Sequence, residues 1–248
     1  MYETILMDKK DRVATVTLNR PDKMNAITPQ LQKELINALD ELEADGHVIV
    51  VILTGAGRAF SAGFDVSVMS SSPDLISLDD IPRLVAFNKP IIAAVNGHAL
   101  AQGFQMALAC DLIVASEKAI FGGIGARINE LCTYAVFALP RVVGRAKAAE
   151  LLFTAEHISG EEAFRIGLAT KVVPAEQLMP AAWELANRMK DNAPLSLKYT
   201  KQALRKGEYI GDDVDWVKEV VVKLMATEDH KEAFAAIMEK RKPVFKGK

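Results

Sequence analysis

The chain has 248 residues, of which 50% are hydrophobic and 25% are charged. This is ordinary globular composition, sufficient for one large core with an appendage, and it does not match a disordered or fibrous chain. The formal net charge is −2. No general basic field therefore exists to attract nucleic acid, and we expect no nucleic-acid partner.

The cysteines and the N-terminal residues predict a cytoplasmic protein. Cys110 and Cys132 lie in apolar surroundings without the spacing of metal ligands, so we expect two buried, reduced thiols and no metal site. The residues after Met1 lack the basic start and apolar stretch of a signal peptide. Because no uninterrupted apolar run reaches about 18 residues, we expect no membrane span.

The first part of the chain predicts a hairpin followed by an amphipathic helix. Residues 4–7 and 12–18 form two apolar or alternating runs separated by charged residues, which is typical of paired strands. Thr28 followed by Pro29 predicts the cap and the first residue of a helix. Leucines continue at helical spacing to about residue 43, and Gly46 lies where we expect the helix to end.

The middle of the chain alternates buried strands with turns and helices. Residues 47–54, 91–95 and 112–115 are short apolar runs rich in β-branched residues, which predicts buried strands. A glycine-punctuated loop follows the first of them, and residues 103–109 are helical in character. This rhythm predicts a mainly parallel sheet with crossover helices.

From about residue 176 the pattern is helical, with breaks predicted at Pro194, Gly207 and Gly211. We therefore divide the chain into an α/β core, residues 1–175, and a C-terminal helical region, residues 176–248.

Two turns built from small residues are the strongest candidates for a functional site. One is Phe60-Ser61-Ala62-Gly63-Phe64-Asp65, and the other is Asn96-Gly97-His98-Ala99-Leu100-Ala101-Gln102-Gly103. Each follows a buried strand, where open α/β folds place their ligands. Two such turns side by side can direct two N–H groups at one oxygen, such as a thioester oxygen becoming an enolate. From the residues alone, two tight structural connections are an equally good interpretation.

These turns belong to a longer series of segments that runs along essentially the whole chain. In order and spacing, the series resembles the enoyl-CoA hydratase/isomerase (crotonase) family. It comprises Asn19-Arg20-Pro21, Asn25-Ala26, Leu53-Thr54-Gly55, Phe60-Ser61-Ala62-Gly63-Phe64-Asp65, Lys89-Pro90-Ile91-Ile92-Ala93-Ala94-Val95-Asn96-Gly97, Cys110-Asp111, Phe121-Gly122, Pro140-Arg141-Val142-Val143-Gly144, Glu161 with Ala163, Gly167-Leu168 and Lys240-Arg241-Lys242-Pro243.

The resemblance implies an α/β fold of the crotonase (ClpP-like) type, made of repeated ββα units with a C-terminal helical region for trimerisation and active-site closure. It implies an acyl-CoA or enoyl-CoA substrate and a homotrimer or a dimer of trimers. No cofactor is implied, since coenzyme A is part of the substrate.

By the same resemblance, the backbone N–H groups of Phe64 and Gln102 are the oxyanion donors. The residues implied in substrate binding are Lys23, Met24, Ala26, Ala62, Gly63, Asp65, Val66, Gly103 and Gln105. Lys23 would contact the phosphates of coenzyme A, although a solvated loop lysine is an equal alternative. Asp65 would hold its loop rather than take part in the chemistry.

The chain departs from the family at the two acidic residues that a hydratase of this type uses. Their positions are occupied by Gln105 and Gly125. Addition of water needs a base for the water and an acid for the α-carbon, and neither residue can supply a proton transfer near pH 7. Standard hydration is therefore not expected.

Glu130 is the only acidic residue between residues 126 and 132. It is therefore the candidate base in place of the two glutamates. In the isomerases of the family, one such group carries a proton from C2 to C4 of the acyl chain. An apolar wall would raise the pKa of this glutamate. Glu130 also fits a carboxylate at the start of a helix, and His98 is the other titratable residue near the second turn.

The sequence therefore predicts an enzyme, and double-bond isomerisation more than standard hydration. Two alternatives stay open. One is a catalytically silent acyl-CoA-binding protein, which would also lack the two carboxylates. The other is a different thioester reaction on the same fold, such as hydrolysis or decarboxylation.

Overall fold

Ten strands and ten helices are present in the part of the chain that the computed structural model describes, residues 2–71, 80–205, 222–223, 225–241 and 243–244. The strands are β1 (Ile5–Lys10), β2 (Val13–Leu18), β3 (Val50–Gly55), β4 (Ala59–Ser61), β5 (Ile91–Val95), β6 (His98–Leu100), β7 (Leu112–Ser116), β8 (Ile120–Gly122), β9 (Ile158–Ser159) and β10 (Lys171–Val173). The helices are α1 (Pro29–Ala44), α2 (Val66–Ser71), α3 (Asp80–Ala86), α4 (Gln102–Ala109), α5 (Ala135–Val143), α6 (Arg145–Thr154), α7 (Gly160–Arg165), α8 (Leu178–Lys190), α9 (Pro194–Arg205) and α10 (Glu228–Met238).

Two sheets share the strands in a regular way. The larger sheet has the order β1-β2-β3-β5-β7-β10, and the smaller has the order β4-β6-β8-β9. Three successive strand pairs, β3/β4, β5/β6 and β7/β8, each give their first strand to the larger sheet and their second to the smaller. Within each sheet these strands pair in parallel. The predicted fold of repeated ββα units is therefore confirmed.

The N-terminal hairpin and first helix form as the sequence predicts. β1 and β2 pair antiparallel from Ile5 with Leu18 to Lys10 with Val13. The hydroxyl oxygen of Thr28 accepts a hydrogen bond from the N–H of Leu31, 3.2 Å away, and so caps α1. The helix ends at Ala44, two residues before Gly46.

One strand begins later than its apolar run predicts, and the five short strands β4, β6, β8, β9 and β10 were not predicted. β3 begins at Val50 instead of residue 47, because the N–H groups of His47 and Val48 donate to the side chain and carbonyl of Asp45 in a turn. β4, β6, β8 and β10 have three residues each. A run this short shows no periodicity, so only the pairing partners reveal it.

The C-terminal region begins with a helix that packs on the core. α8 covers one face of the larger sheet, where Ala182, Leu185 and Ala186 pack against Ile52 and Ile92. α9 begins at Pro194, where a break was predicted. The breaks predicted at Gly207 and Gly211 lie outside the described residues. None of the helices described here has the length and apolarity to span a bilayer.

Asn25 fixes the turn that joins the hairpin to α1. Its side chain is fully buried, its Oδ1 accepts from the N–H of Arg20 at 2.8 Å, and its Nδ2 donates to the carbonyls of Ala56 and Ala59 at 2.9 and 2.7 Å. These bonds tie three separate stretches of backbone together next to β4. If the side-chain amide of Asn25 were removed, the N–H of Arg20 and the carbonyls of Ala56 and Ala59 would each lose this hydrogen-bond partner.

We therefore expect Asn25→Asp to lower the free energy of unfolding by at least about 2 kcal/mol, because a carboxylate cannot donate to the two carbonyls. Urea unfolding at fixed protein concentration measures this. Asp22→Asn, in the exposed part of the same turn, is the control and should change stability by less than about 0.5 kcal/mol. Equal stability of the two variants would contradict the role of Asn25.

Candidate active site

The two predicted turns lie against each other at the ends of β4 and β6. Gly63 has a φ of +97°, and a Cβ at this position would lie 2.7 Å from the Cβ of Ala101 and 3.3 Å from the backbone nitrogen of Gln102. A Cβ at Gly103 would lie 2.3 Å from the carbonyl oxygen of Ser61. Both glycines are therefore required by the close approach of the two backbones.

The N–H groups of Phe64 and Gln102 are available to a ligand. Neither donates a hydrogen bond to another described residue. Gln102 is the first residue of α4, and its N–H extends from the helix end that favours negative charge. Ala101 is held at a φ of 49°, and its own N–H donates to the carbonyl of Gly122 at 2.9 Å. The assignment of both groups as oxyanion donors stays a prediction, and this geometry is compatible with it.

A cavity of about 120 Å³ borders both turns. Most of the side chains that line it are apolar. Its described lining consists of Ala62, Phe64, Val66, Met69, Ala101, Gln102, Gln105, Ile124, Gly125, Ile128, Glu130, Leu131, Cys132, Thr133, Met225, Phe234 and Ile237. Glu130 is the one carboxylate in this set, which makes it the candidate base among the described residues.

Glu130 has the environment expected of a base with a raised pKa. Its side chain is 21% exposed, and its Oε1 is buried without a hydrogen-bond partner among the described residues. Burial raises the pKa of this carboxyl to about 7. Burial also raises the pKa of the neighbouring Cys132 thiol, so the thiol is neutral. Oε1 lies 3.8 Å from Nδ1 of His230, a residue of α10.

Gly125, one of the two positions of the family glutamates, has no space for a side chain. The N–H of Glu130 donates to the carbonyl of Gly125 at 2.9 Å, which folds the segment back on itself. A Cβ at Gly125 would lie 2.6 Å from the carbonyl oxygen of Glu130. The glycine is thus required by the same turn that brings Glu130 to the cavity.

Gln105 occupies the other family position, and its side chain is hydrogen-bonded to residues of both α4 and the start of α5. Its Oε1 accepts from the N–H groups of Tyr134 and Ala135, at 2.8 and 3.3 Å, at the start of α5. Its Nε2 donates to Oε1 of Gln102 at 2.9 Å. The side chain therefore joins α4 to the N-terminus of α5, and one of its two amide protons is used in the bond to Gln102.

A buried carboxylate that the sequence did not reveal completes this network. Nε2 of Gln102 donates to both oxygens of Asp80 at 2.9 and 3.1 Å, and Nε2 of Gln32 donates to one of them at 3.2 Å. Asp80 is fully buried, and burial raises the pKa of its carboxyl to about 6 against the effect of these bonds. Asp80 lies in a stretch without a recognisable motif, so only contacts across the fold identify it.

The remaining predicted substrate-binding residues surround the first turn. Lys23 is exposed, Met24 and Ala26 are half-buried, and the carbonyl of Met24 accepts from the N–H of Ala62 at 3.0 Å. Ala62 and Val66 line the cavity. Their arrangement brings the predicted coenzyme A turn next to the first donor.

Asp65 holds the loop after the first donor. Its carboxylate accepts from Ser67 Oγ at 2.6 Å and pairs with Arg20 at 3.2 Å. Burial raises the pKa of Asp65, but the bonds from Ser67 and Arg20 outweigh it and hold the pKa below its ordinary value. His98 is placed in β6 and is not part of the cavity's described lining.

The cysteines are free and buried, as the sequence predicts. Cys132 borders the cavity, whereas Cys110 lies in the core beside Asp111. Within the described ranges, no three potential ligands of the His, Cys, Asp and Glu types come together around a point that could hold a metal ion.

We expect Gly63→Ala to lower kcat at least about 100-fold, because the new methyl group meets Ala101 and displaces the first donor. Gly144→Ala is the control, since Gly144 also has a left-handed φ (+79°) but has open space around its Cβ position. Steady-state kinetics with an enoyl-CoA ester compare the two. Similar kcat values would contradict the requirement for close contact between the turns.

Comparisons with known proteins agree with this geometry. The sequence profile of the enoyl-CoA hydratase/isomerase family matches residues 8–248. A short-chain-enoyl-CoA hydratase of Clostridium acetobutylicum is 39% identical over 96% of this chain and 95% of that protein. The structure of a carnitinyl-CoA hydratase from Mycobacterium avium is 33% identical over the full length of both chains, with a TM-score of 0.91. A monofunctional enoyl-CoA isomerase from M. smegmatis is 35% identical over 91% of this chain and 99% of its own, with a TM-score of 0.73. The chain belongs to the enoyl-CoA hydratase/isomerase (crotonase) family of acyl-CoA enzymes.

Proposed function

We propose that this enzyme moves a double bond in an enoyl-CoA ester, with Glu130 as its base. The observation that carries the proposal is that Glu130 is the one carboxylate in the described lining of the cavity that both donor turns border. One base is sufficient for isomerisation, because the proton taken from one carbon is returned to another.

The proposed reaction uses three groups, the carboxylate of Glu130 and the backbone N–H groups of Phe64 and Gln102. The Glu130 carboxylate removes a proton from C2 of a 3-enoyl thioester, and the electron pair of that C–H bond delocalises to the thioester oxygen. The N–H groups of Phe64 and Gln102 stabilise the resulting dienolate, each by about 3 kcal/mol. Glu130 then returns the proton to C4, and the double bond lies between C2 and C3.

The apolar wall of the cavity helps this base in two ways. It raises the pKa of Glu130 to about 7, so the carboxylate is a stronger base than a solvated glutamate and is still largely ionised above neutral pH. It also excludes water, which protects the dienolate from uncontrolled protonation.

Hydration is the second candidate, and the names of relatives favour it. Relatives at 39% and 35% identity are called hydratases of short-chain enoyl-CoA and of 2,3-dehydroadipyl-CoA. The residues at the two family glutamate positions argue against hydration. Gln105 is hydrogen-bonded to the start of α5, and Gly125 has no space for a side chain. A hydratase would have to perform both proton transfers with Glu130.

The manner of substrate binding is part of the same proposal. Coenzyme A would lie along the turn at Lys23, Met24 and Ala26, with its thioester between Gly63 and Gly103. No further cofactor is needed, because the reaction is a proton transfer within the substrate. The assembly would be a homotrimer or a dimer of trimers, as the resemblance implies.

We expect Glu130→Gln to lower turnover of 3-enoyl-CoA esters about 1,000-fold, because the amide cannot take the C2 proton. Binding of a saturated acyl-CoA should change less than about threefold, since the thioester pocket keeps its shape. Glu117→Gln, at an exposed carboxylate, is the control and should keep full turnover. A Glu130→Gln variant with most of its activity would overturn the assignment of the base.

Products are best identified by NMR and mass spectrometry after incubation of 2-enoyl- and 3-enoyl-CoA esters in heavy water. Migration of the double bond, with deuterium at C2 or C4, supports isomerisation. Water addition as the main outcome would favour the second candidate. Binding with every ester returned unchanged would favour a silent acyl-CoA-binding protein, and a shortened or hydrolysed thioester would indicate another reaction.

We expect Gln105→Glu to confer no hydratase activity, although it restores a family carboxylate. Its oxygens would face the N–H groups at the start of α5, which hold the pKa of a carboxylate low and make it a weak base. One oxygen would also face Oε1 of Gln102, which could turn its amide only by breaking its bonds to Asp80. Kinetics of water addition to crotonyl-CoA test this, and a gain of tenfold or more would contradict it.

A further inference from the structure

Glu130 and His230 present two buried polar atoms to each other across the edge of the cavity. Oε1 of Glu130 and Nδ1 of His230 are 3.8 Å apart, and neither atom has a hydrogen-bond partner in the described part of the chain. Buried polar atoms are nearly always paired, and an unpaired one costs about 1–3 kcal/mol. Two such atoms facing each other point to a function that requires them.

The imidazole of His230 is held in place from several sides. Its ring packs edge-on against the ring of Phe234 at a centroid distance of 4.8 Å. Its backbone N–H donates to Oγ1 of Thr227, the cap of α10, at 3.1 Å. Nδ1 is therefore directed at Glu130 by the helix and not by chance orientation of a surface side chain.

A second contact joins the segment of Glu130 to the same helix end. Nδ2 of Asn129 donates to Oγ1 of Thr227 at 2.8 Å. The residue before Glu130 and the cap of α10 are thus fixed to each other. A shortening of the 3.8 Å separation by about 1 Å would bring the two atoms into hydrogen-bond range.

We propose that His230 is the positioning residue of Glu130 and shares one proton with its carboxyl group. This inference rests on Glu130 being the base. When the proton moves from Oε1 of Glu130 to Nδ1 of His230, the O–H bond breaks, the N–H bond forms, and the carboxyl and imidazole become carboxylate and imidazolium. The total charge is unchanged, and the other oxygen of Glu130 is left as the base for the substrate.

The reason for such a pair is the burial of the base. Without a partner, a carboxyl with a pKa of about 7 is protonated at lower pH and cannot accept the C2 proton. A neighbour that takes the proton keeps a fraction of Glu130 ionised below that pH. Burial holds the pKa of His230 below its ordinary value, so the imidazole is neutral at pH 7, and the carboxylate left beside it favours the protonated ring once the proton has moved.

The described groups around Glu130 and His230 are not expected to exchange a proton with the pair. Cys132, on the same segment as Glu130, is a neutral thiol, and Gln102 and Gln105 on α4 carry no charge. Asp229 precedes His230 on α10, is buried and has interactions of its own. The two protons of the pair are therefore expected to titrate as a coupled set.

The test is the pH dependence of His230→Phe, which keeps an aromatic ring against Phe234 but cannot take a proton. At pH 9 Glu130 is ionised in both proteins, so kcat should agree within about threefold. At pH 6, one unit below the pKa of Glu130, the variant should retain about one tenth of its own pH 9 rate, and wild type should retain a larger fraction of its own. A purely structural defect would lower the rate at both pH values alike.

His98→Phe is the matched control, because Nδ1 of His98 is also buried and unpaired among the described residues, whereas His98 lies outside the described lining of the cavity. Its ratio of rates at pH 6 and pH 9 should equal that of wild type. His230→Gln, which keeps a polar group without a titrating nitrogen, provides a second test should the phenylalanine disturb α10. It should show the same loss at pH 6.

The outcomes separate this inference from the proposed function. If Glu130→Gln is inactive but both His230 variants follow the pH profile of wild type, the base stands and the shared proton is wrong. If Glu130→Gln remains active, the base itself is wrong and the pair has no catalytic meaning. An unfolding midpoint and a saturated acyl-CoA titration at each pH confirm that the compared proteins are folded and bind.

Discussion

The contact between the two donor turns is the constraint on which the site depends. Gly63 and Gly103 each lie so close to the opposite turn that a Cβ would overlap it. This contact exists because β4 and β6 are parallel neighbours in the smaller sheet, as the second strands of successive ββα units. The fold thereby brings the backbones of the two predicted donors close together, and Asn25 braces the first of the turns from the side of the N-terminal hairpin.

The departures from the family pattern are connected to each other. Gln102 occurs where small residues are common, and its side chain reaches Asp80 on one side and Gln105 on the other. Gln105 in turn caps the start of α5, and a glutamate there would place a carboxylate oxygen against Oε1 of Gln102. The loss of the second carboxylate at Gly125 is tied to the turn that presents Glu130. The site is best understood as one rearranged network that leaves Glu130 as the one carboxylate in the described lining of the cavity.

Much of the architecture could be predicted from local patterns. The cap at Thr28, the buried strand β5 and the helix after the second turn follow from cap chemistry and apolar runs. The three-residue strands could not be predicted, because they are defined by hydrogen bonds to distant strands and not by their own sequence. For the same reason the turns were assigned to the ends of β3 and β5, whereas β4 and β6 position them.

The sequence by itself determined the family, the two small-residue turns and the absence of glutamates at residues 105 and 125, since these are properties of residue identity and order. The tertiary structure decided what surrounds Glu130, because burial and distance depend on elements far apart in the chain. His230 is 100 residues away from Glu130 and belongs to no motif, yet α10 brings its ring to within 3.8 Å of the carboxylate. Asp80 was equally unpredictable, since only folding removes this polar residue at the start of α3 from water and surrounds it with amide donors.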